Sequence, residues 1–164
     1  MKIVIDSREK TPFNFLKDFD ISVEFRTLPT GDYSLPGMEH LVAVERKSLP
    51  DLTRCLGTDR ARFERELLRA AALESFCVVV EADWRSLEDG RYQGQLDPGA
   101  ACASVAAFMA RYGVPFFFAG SRQRAEAFTA LFLRQYLKGK AKEADAIRKA
   151  MVEAHHVDKR IDGR

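Results

Sequence analysis

Asp32, Glu45 and Lys47 are the residues whose types and spacing can do chemistry. Glu45-Arg46-Lys47 follows the apolar run Leu41-Val42-Ala43-Val44, which reads as a buried strand. Residues two apart on a strand point to one face, so the Glu45 carboxylate and the Lys47 ammonium lie side by side. Gly31-Asp32-Tyr33 stands upstream, with Asp32 placed 13 residues before Glu45. That leaves room for two short strands and a turn, so a hairpin can bring the two carboxylates together. Two acidic side chains and a lysine at one point form a hard-cation site beside a fixed positive charge. This is equipment for metal-assisted phosphodiester cleavage. Taken singly, each acid is an ordinary surface carboxylate and Lys47 an ordinary strand-end lysine; the combined spacing carries the functional reading.

Gly31-Asp32-Tyr33, Glu45-Arg46-Lys47 and Asp51 resemble, in order and spacing, the GD…ERK…D signature of the XPF-type structure-specific DNA endonucleases. That family is a branch of the restriction-endonuclease-like superfamily. Asp6-Ser7-Arg8-Glu9, after the opening strand, is similar to its first acidic motif. The resemblance covers roughly residues 1–137 and implies an α/β domain, a central mixed β-sheet flanked by helices. It implies a Mg²⁺- or Mn²⁺-dependent endodeoxyribonuclease that hydrolyses phosphodiester bonds near single-strand to double-strand junctions in branched DNA. Asp32 and Glu45 would hold the metal, with Lys47 at the scissile phosphate, and Arg46 and Asp51 would belong to the catalytic signature.

The remaining candidates follow from their positions. Asp6 ends a buried strand and, with Glu9, can supply a second metal's ligands; the alternative is a polar loop with local hydrogen bonds. Arg8 is a candidate phosphate clamp. Arg46 faces away from Glu45 and Lys47 on a regular strand, so a salt bridge with Asp51 or Asp32 would brace the site. Asp51 can brace Lys47 or cap the following turn. Arg62, Arg65 and Arg69, at i, i+3 and i+7, can share a helix face that tracks a DNA backbone. The resemblance adds Arg60 to Arg62 as DNA-binding candidates. Glu64, Glu66 and Glu74 lie among them, and a salt-bridged solvent face is the competing account. Glu81 and Asp83 can line the same sheet edge, with N-capping the simpler role for Asp83. Trp84 and Tyr92 can stack on bases or pack internally, and His40, His155 and His156 carry no clear signal.

The elements that must position these residues alternate. Strands are expected at Lys2–Asp6, Ile21–Leu28, Asp32–Leu35, Leu41–Lys47, Phe76–Val80 and Val114–Ala119. The strict alternation of Ile21–Leu28 predicts a half-buried strand. Helices are expected near Pro50, from Thr58 or Asp59 to about Glu74, over Asp83–Asp89, from Asp97 to about Tyr112, and from Ser121 to about Lys138. Residues 138–164 are highly charged and lack aromatics, which predicts a solvated helix fraying into a tail with no helix-hairpin-helix module. DNA affinity would then come from the chain's own basic surface or from a partner.

The chain has 164 residues, 46% of them hydrophobic and 30% charged, which fits one globular domain. No apolar run approaches the ~18 residues of a membrane span. Cys55, Cys77 and Cys102 are odd in number and widely spaced, which points to reduced thiols and a cytoplasmic protein. A net charge of +2 is too small to argue DNA binding without a local patch. The aromatic-rich segment Val114–Phe118 and the helix bearing Phe128, Leu131, Phe132, Leu133 and Tyr136 are apolar enough for a homodimer interface or for a sheet covered on both faces. Two rival functions share these residues: a DNA-binding nuclease-like subunit, and a resolvase or restriction-type nuclease.

Overall fold

The computed structural model describes residues 1–15 and 20–162, and side chains in the last helix as far as Glu153. The expectations for His155 and His156 therefore lie outside the described residues. Six strands form one sheet: β1 (Lys2–Asp6), β2 (Ser22–Arg26), β3 (Tyr33–Ser34), β4 (Val42–Lys47), β5 (Ser75–Val80) and β6 (Phe116–Phe118), in the order β2-β1-β3-β4-β5-β6. Pairs β1/β2, β4/β5 and β5/β6 are parallel, while β3 runs antiparallel to both β1 and β4. The expected mixed sheet is present, and β3/β4 is the expected hairpin. Strands β1, β4 and β5 are continuous Val/Ile-rich runs because both of their faces are covered.

Helices α1 (Leu49–Leu56), α2 (Arg60–Ala70), α3 (Trp84–Glu88) and α4 (Pro98–Tyr112) contribute to a single apolar cluster with the sheet. Ala43, Val78, Val80 and Phe116 pack there with Leu52, Phe63, Leu67 and Phe108. The Phe63 ring meets Phe108 and Phe116 edge-on at 5.9 and 6.3 Å. Tyr33 faces the other side, as its cross-strand pairing with Val44 requires. There it stacks on Phe13 at 5.0 Å, and Phe15 closes the cluster edge-on. Cap chemistry sets the helix starts: Ser48, Asp83 and Asp97 each accept a backbone N–H with their side chains.

Three elements differ from expectation. Strand β2 is an edge strand, and Val23 and Phe25, the apolar half of its alternation, are exposed. Helix α2 ends at Ala70, short of Glu74, with Leu73 packing back onto the core from the following turn. The last helix, α5 (Arg122–Asp162), runs straight through Gly139 rather than ending near Lys138. Ala-, Lys- and Glu-rich composition sustains it, with i,i+3 ion pairs Lys140–Glu143 and Asp145–Arg148. Residues Met1–Leu133 form one unit, and the helix from Arg134 on forms a second. The second unit exposes Ile147, Met151 and Val152. No described helix is long and apolar enough to cross a membrane.

Candidate active site

The C-terminal end of β4, the turn before β3 and the first turns after β1 surround a cleft of about 650 Å³. Gly31 sets its geometry. Its φ of +78° lies in the left-handed region, and a Cβ there would stand 2.9 Å from the Ala43 Cβ and 3.1 Å from the Val44 carbonyl oxygen. Only glycine lets the chain cross β4 this closely. Asp32 follows, anchored by its N–H to the Val44 carbonyl at 2.8 Å. The Arg46 backbone N–H donates to Asp32 Oδ2 at 2.8 Å, which holds the carboxylate against β4. Glu45 and Lys47 project from β4 into the same cleft, and the Lys47 ammonium pairs with Glu45 Oε1. These two side chains are nearly closed to solvent, at 6% and 12% exposure.

The electrostatics of this group are unbalanced. Burial, only partly offset by Lys47, pushes Asp32 up to about 7. Burial and the neighbouring Asp32 push Glu45 well above the usual carboxylate range. Burial works against the Lys47 charge, but Glu45 and then Glu66 outweigh it, so the ammonium is held more firmly than a free lysine. Glu66 reaches this cleft from α2 and adds to the negative potential there.

Such a donor set fits a small divalent cation. Oxygen ligands suit Mg²⁺ or Mn²⁺, and such ions take one or two protein carboxylates while water and substrate phosphate complete the shell. Among the described residues, no group of three or more His, Cys, Asp or Glu side chains is arranged to hold a metal. Asp32 and Glu45 are the two cleft carboxylates that could hold such an ion, with water and phosphate completing its shell.

Asp6 lines the cleft but is not a free ligand. Its Oδ1 accepts from the Arg8 N–H at 2.7 Å and Arg8 Nε at 2.9 Å, and its Oδ2 from Arg8 Nη2 at 2.7 Å and the Leu28 N–H at 3.0 Å. Burial alone would raise its pKa, yet these hydrogen bonds, the Arg8 side chain first among them, hold it below the usual value. Arg8 is correspondingly committed, with Nη2 also reaching the Leu28 carbonyl at 2.6 Å. Asp51 makes no hydrogen bond or ion pair with Lys47 or Arg46. It accepts from Ser48 Oγ at 2.5 Å and pairs with Arg54, while Ser48 caps α1.

Arg46 does face away from Glu45 and Lys47, but its bracing partners are not Asp51 or the Asp32 side chain. Its guanidinium pairs with Glu9 at 3.3 Å and Glu81 at 2.9 Å and donates to Thr11 Oγ1 at 2.6 Å. On α2, Arg62 and Arg69 line the cleft with Glu66 between them, at i, i+4 and i+7, whereas Arg60 and Arg65 do not. Arg65 is one helical position off this face. Arg60 is taken up elsewhere, donating to Ser104 Oγ at 2.9 Å, pairing with Glu64 and lying over the Phe108 ring. Trp84, partly exposed, packs edge-on against Phe118, the Tyr92 hydroxyl donates to the Leu96 carbonyl, and neither residue lines the cleft. Asp83 caps α3.

The sequence assigns Arg54 and Arg122 no role, and Glu66 only that of a salt-bridge partner on a solvent face. The i+4 spacing from Arg62 to Glu66 was available as a signal; nothing local marks Arg54, or Arg122, which pairs with Glu81 across 41 residues of chain.

A profile of the ERCC4 domain matches residues 5–132. Among solved structures, XPF from Aeropyrum pernix superposes with a TM-score of 0.67 at 23% identity, over 83% of this chain and 61% of that one. XPF from Aeropyrum pernix in complex with DNA gives 0.65 at 24% identity, over 84% of this chain and 66% of that one. This chain thus spans less than two thirds of either. No curated protein sequence matches it. The profile match from residue 5 to residue 132, on a shared fold, shows that the chain belongs to the ERCC4 domain family, that of the XPF-type nuclease domains.

Proposed function

We propose that this chain is a Mg²⁺- or Mn²⁺-dependent DNA endonuclease that hydrolyses a phosphodiester bond near a single-strand to double-strand junction. The observation that carries the reading is the convergence of Asp32, Glu45 and Lys47 in one cleft, with both carboxylates held above their usual pKa. A divalent cation there would neutralise developing phosphate charge and lower the pKa of the attacking water. Asp32 and Glu45 must give up their protons to hold it, so cation binding competes with protonation. Lys47 remains an ammonium, so it serves as a donor to a phosphoryl oxygen, stabilising charge in the transition state, rather than as a proton acceptor. Arg54, Arg62 and Arg69 line the cleft with Lys10 and can pair with flanking phosphates. Arg54, Arg62 and Arg69 thus take the place of Arg60 and Arg65, while Arg8 braces Asp6 with a side chain that is still largely exposed.

DNA as the partner is supported by the family and by the related XPF solved in complex with DNA. A homodimer is supported by the first half of α5 and β6, where Phe117 stacks on Phe128 at 3.7 Å while Phe117 and Leu131 are exposed. The test incubates the protein with end-labelled single-stranded, duplex, forked, 3′-flap and four-way-junction DNA in Mg²⁺, Mn²⁺ or EDTA. Metal-dependent cuts near the branch, absent in Asp32→Ala, are the expected outcome. Cutting confined to four-way junctions or to one duplex sequence would place the chain with the resolvases or restriction enzymes. DNA binding with no cutting would make it a nuclease-like binding subunit.

A further inference from the structure

From the other face of β4, the Arg46 side chain joins an ion-pair system that the catalytic reading does not use; Arg46, Glu9 and Thr11 also border the cleft, and Thr11, Arg46, Glu81 and Arg122 border a second, smaller one. Glu81 directly follows β5, and its N–H donates to the Lys47 carbonyl at 2.9 Å. Its Oε1 accepts from Arg46 Nη1 at 2.9 Å and from Arg122 Nη1 at 2.6 Å. Arg122, at the start of α5, also donates through Nη2 to the Thr11 and Pro12 carbonyls at 2.8 Å each and lies 5.0 Å from the centre of the Phe13 ring. Glu9 completes the set, accepting from the Thr11 N–H at 2.6 Å and from Arg46. The Arg46, Glu9 and Glu81 side chains are 8%, 8% and 16% exposed. The Glu81 carboxylate, just after β5, therefore joins the end of β4 to the first turn of α5, and the two arginines carry the link on to the turn after β1.

We propose that Glu81, shared between Arg46 and Arg122, is a positioning residue for the reaction. Its side chain pins the Arg46 guanidinium, while its backbone N–H holds the Lys47 carbonyl. The Arg46 N–H then stays on Asp32 Oδ2, and Glu45 and Lys47 keep their common direction. Two buried or half-buried guanidiniums sharing one carboxylate give this anchor direction as well as charge. The inference rests on the nuclease reading for its effect on turnover, but not for its effect on the Arg46 amide.

The sign of the effect distinguishes positioning from bulk electrostatics. Removing a carboxylate near a polyanion by itself favours DNA binding and leaves turnover alone. Positioning requires that Glu81→Gln lower kcat on the order of tenfold while KM stays level or falls. Arg122→Met, which keeps the length of the side chain over Phe13, should lower kcat in the same way, and the double variant should fall little further than either single one. Amide exchange measured by NMR on the full chain should show the Arg46 N–H exchanging several-fold faster in both variants, at unchanged exchange of core amides such as Val78. An Arg46 amide as protected in both variants as in the parent would overturn the proposal, whether or not the parent cuts DNA. Full kcat in both variants of a cutting enzyme would overturn it too. A parent that cuts nothing, with faster Arg46 exchange in the variants, would keep the positioning role and sink the nuclease reading alone.

Discussion

The two faces of β4 differ in how their charges are resolved. On the far face, Arg46 is met by Glu9, Glu81 and Thr11, and Glu81 is met again by Arg122. On the cleft face, Asp32, Glu45 and the nearby Glu66 share one buried ammonium, Lys47. Adjacent residues of one strand thus enter a saturated network and an unsaturated one. Charges that brace the site from outside are paired to completion, because a lone buried charge costs several kcal/mol. On the proposed reading, an excess of buried carboxylate is tolerated because a cation and a phosphate would complete the site.

Breaking each face should therefore give effects of different size on cleavage and on stability. The largest effect is expected on the cleft side. Asp32→Ala or Glu45→Ala should reduce cleavage by on the order of 10³-fold with the fold intact, and Lys47→Ala by about 10²-fold or more. Stability reverses the order. Arg46→Met strands Glu9, leaves Glu81 with Arg122 alone, and should cost about 3 kcal/mol in urea unfolding. Asp32→Asn keeps an acceptor for the Arg46 N–H but removes a disfavoured charge, and should stabilise the cation-free protein at pH 8.

The pH dependence follows the same contrast. Asp32 holds its proton up to about 7 in the folded chain against an ordinary 3.8 when unfolded. Between these values the folded state binds more protons, so the contribution is fully present below about pH 4 and is lost as pH rises toward 7. Urea midpoints across that window should fall less steeply in Asp32→Asn than in the parent when no divalent cation is present. Gly31→Ala should cost on the order of 1–3 kcal/mol through its left-handed backbone and the approach to Val44, and should displace Asp32. The smallest effects belong to the basic residues of α2. Arg62→Ala and Arg69→Ala should each lower the salt slope of DNA binding by about one, whereas Arg65→Ala should leave it unchanged.

Much of this was legible in the sequence, for physical reasons that can be named. The β3/β4 hairpin follows from turn chemistry between apolar runs, and period-two geometry put Glu45 and Lys47 on one face with Arg46 on the other. What was hidden depends on long-range pairing. Asp6 ends a buried strand as a ligand would, but Arg8 two residues on and the Leu28 N–H satisfy it. Arg46 finds its acids 37 residues upstream and 35 downstream, which no local pattern announces. The alternation of β2 was real, yet whether its apolar half is covered depends on sheet order, and β2 lies at the edge. Arg62, Glu66 and Arg69 show that the i+4 neighbour, rather than Arg65 at i+3, completes the face turned to the cleft.

The most direct test is a Mn²⁺ titration of the chain without DNA, followed by calorimetry or electron paramagnetic resonance at pH 8 and pH 6. Saturable binding that weakens at pH 6, and that Asp32→Asn and Glu45→Gln each abolish while Asp6→Asn leaves a measurable site, is the expected result. Binding of equal strength in Asp32→Asn and Glu45→Gln, or binding that Asp6→Asn alone removes, would contradict the account of the cleft face of β4 as a two-carboxylate cation site.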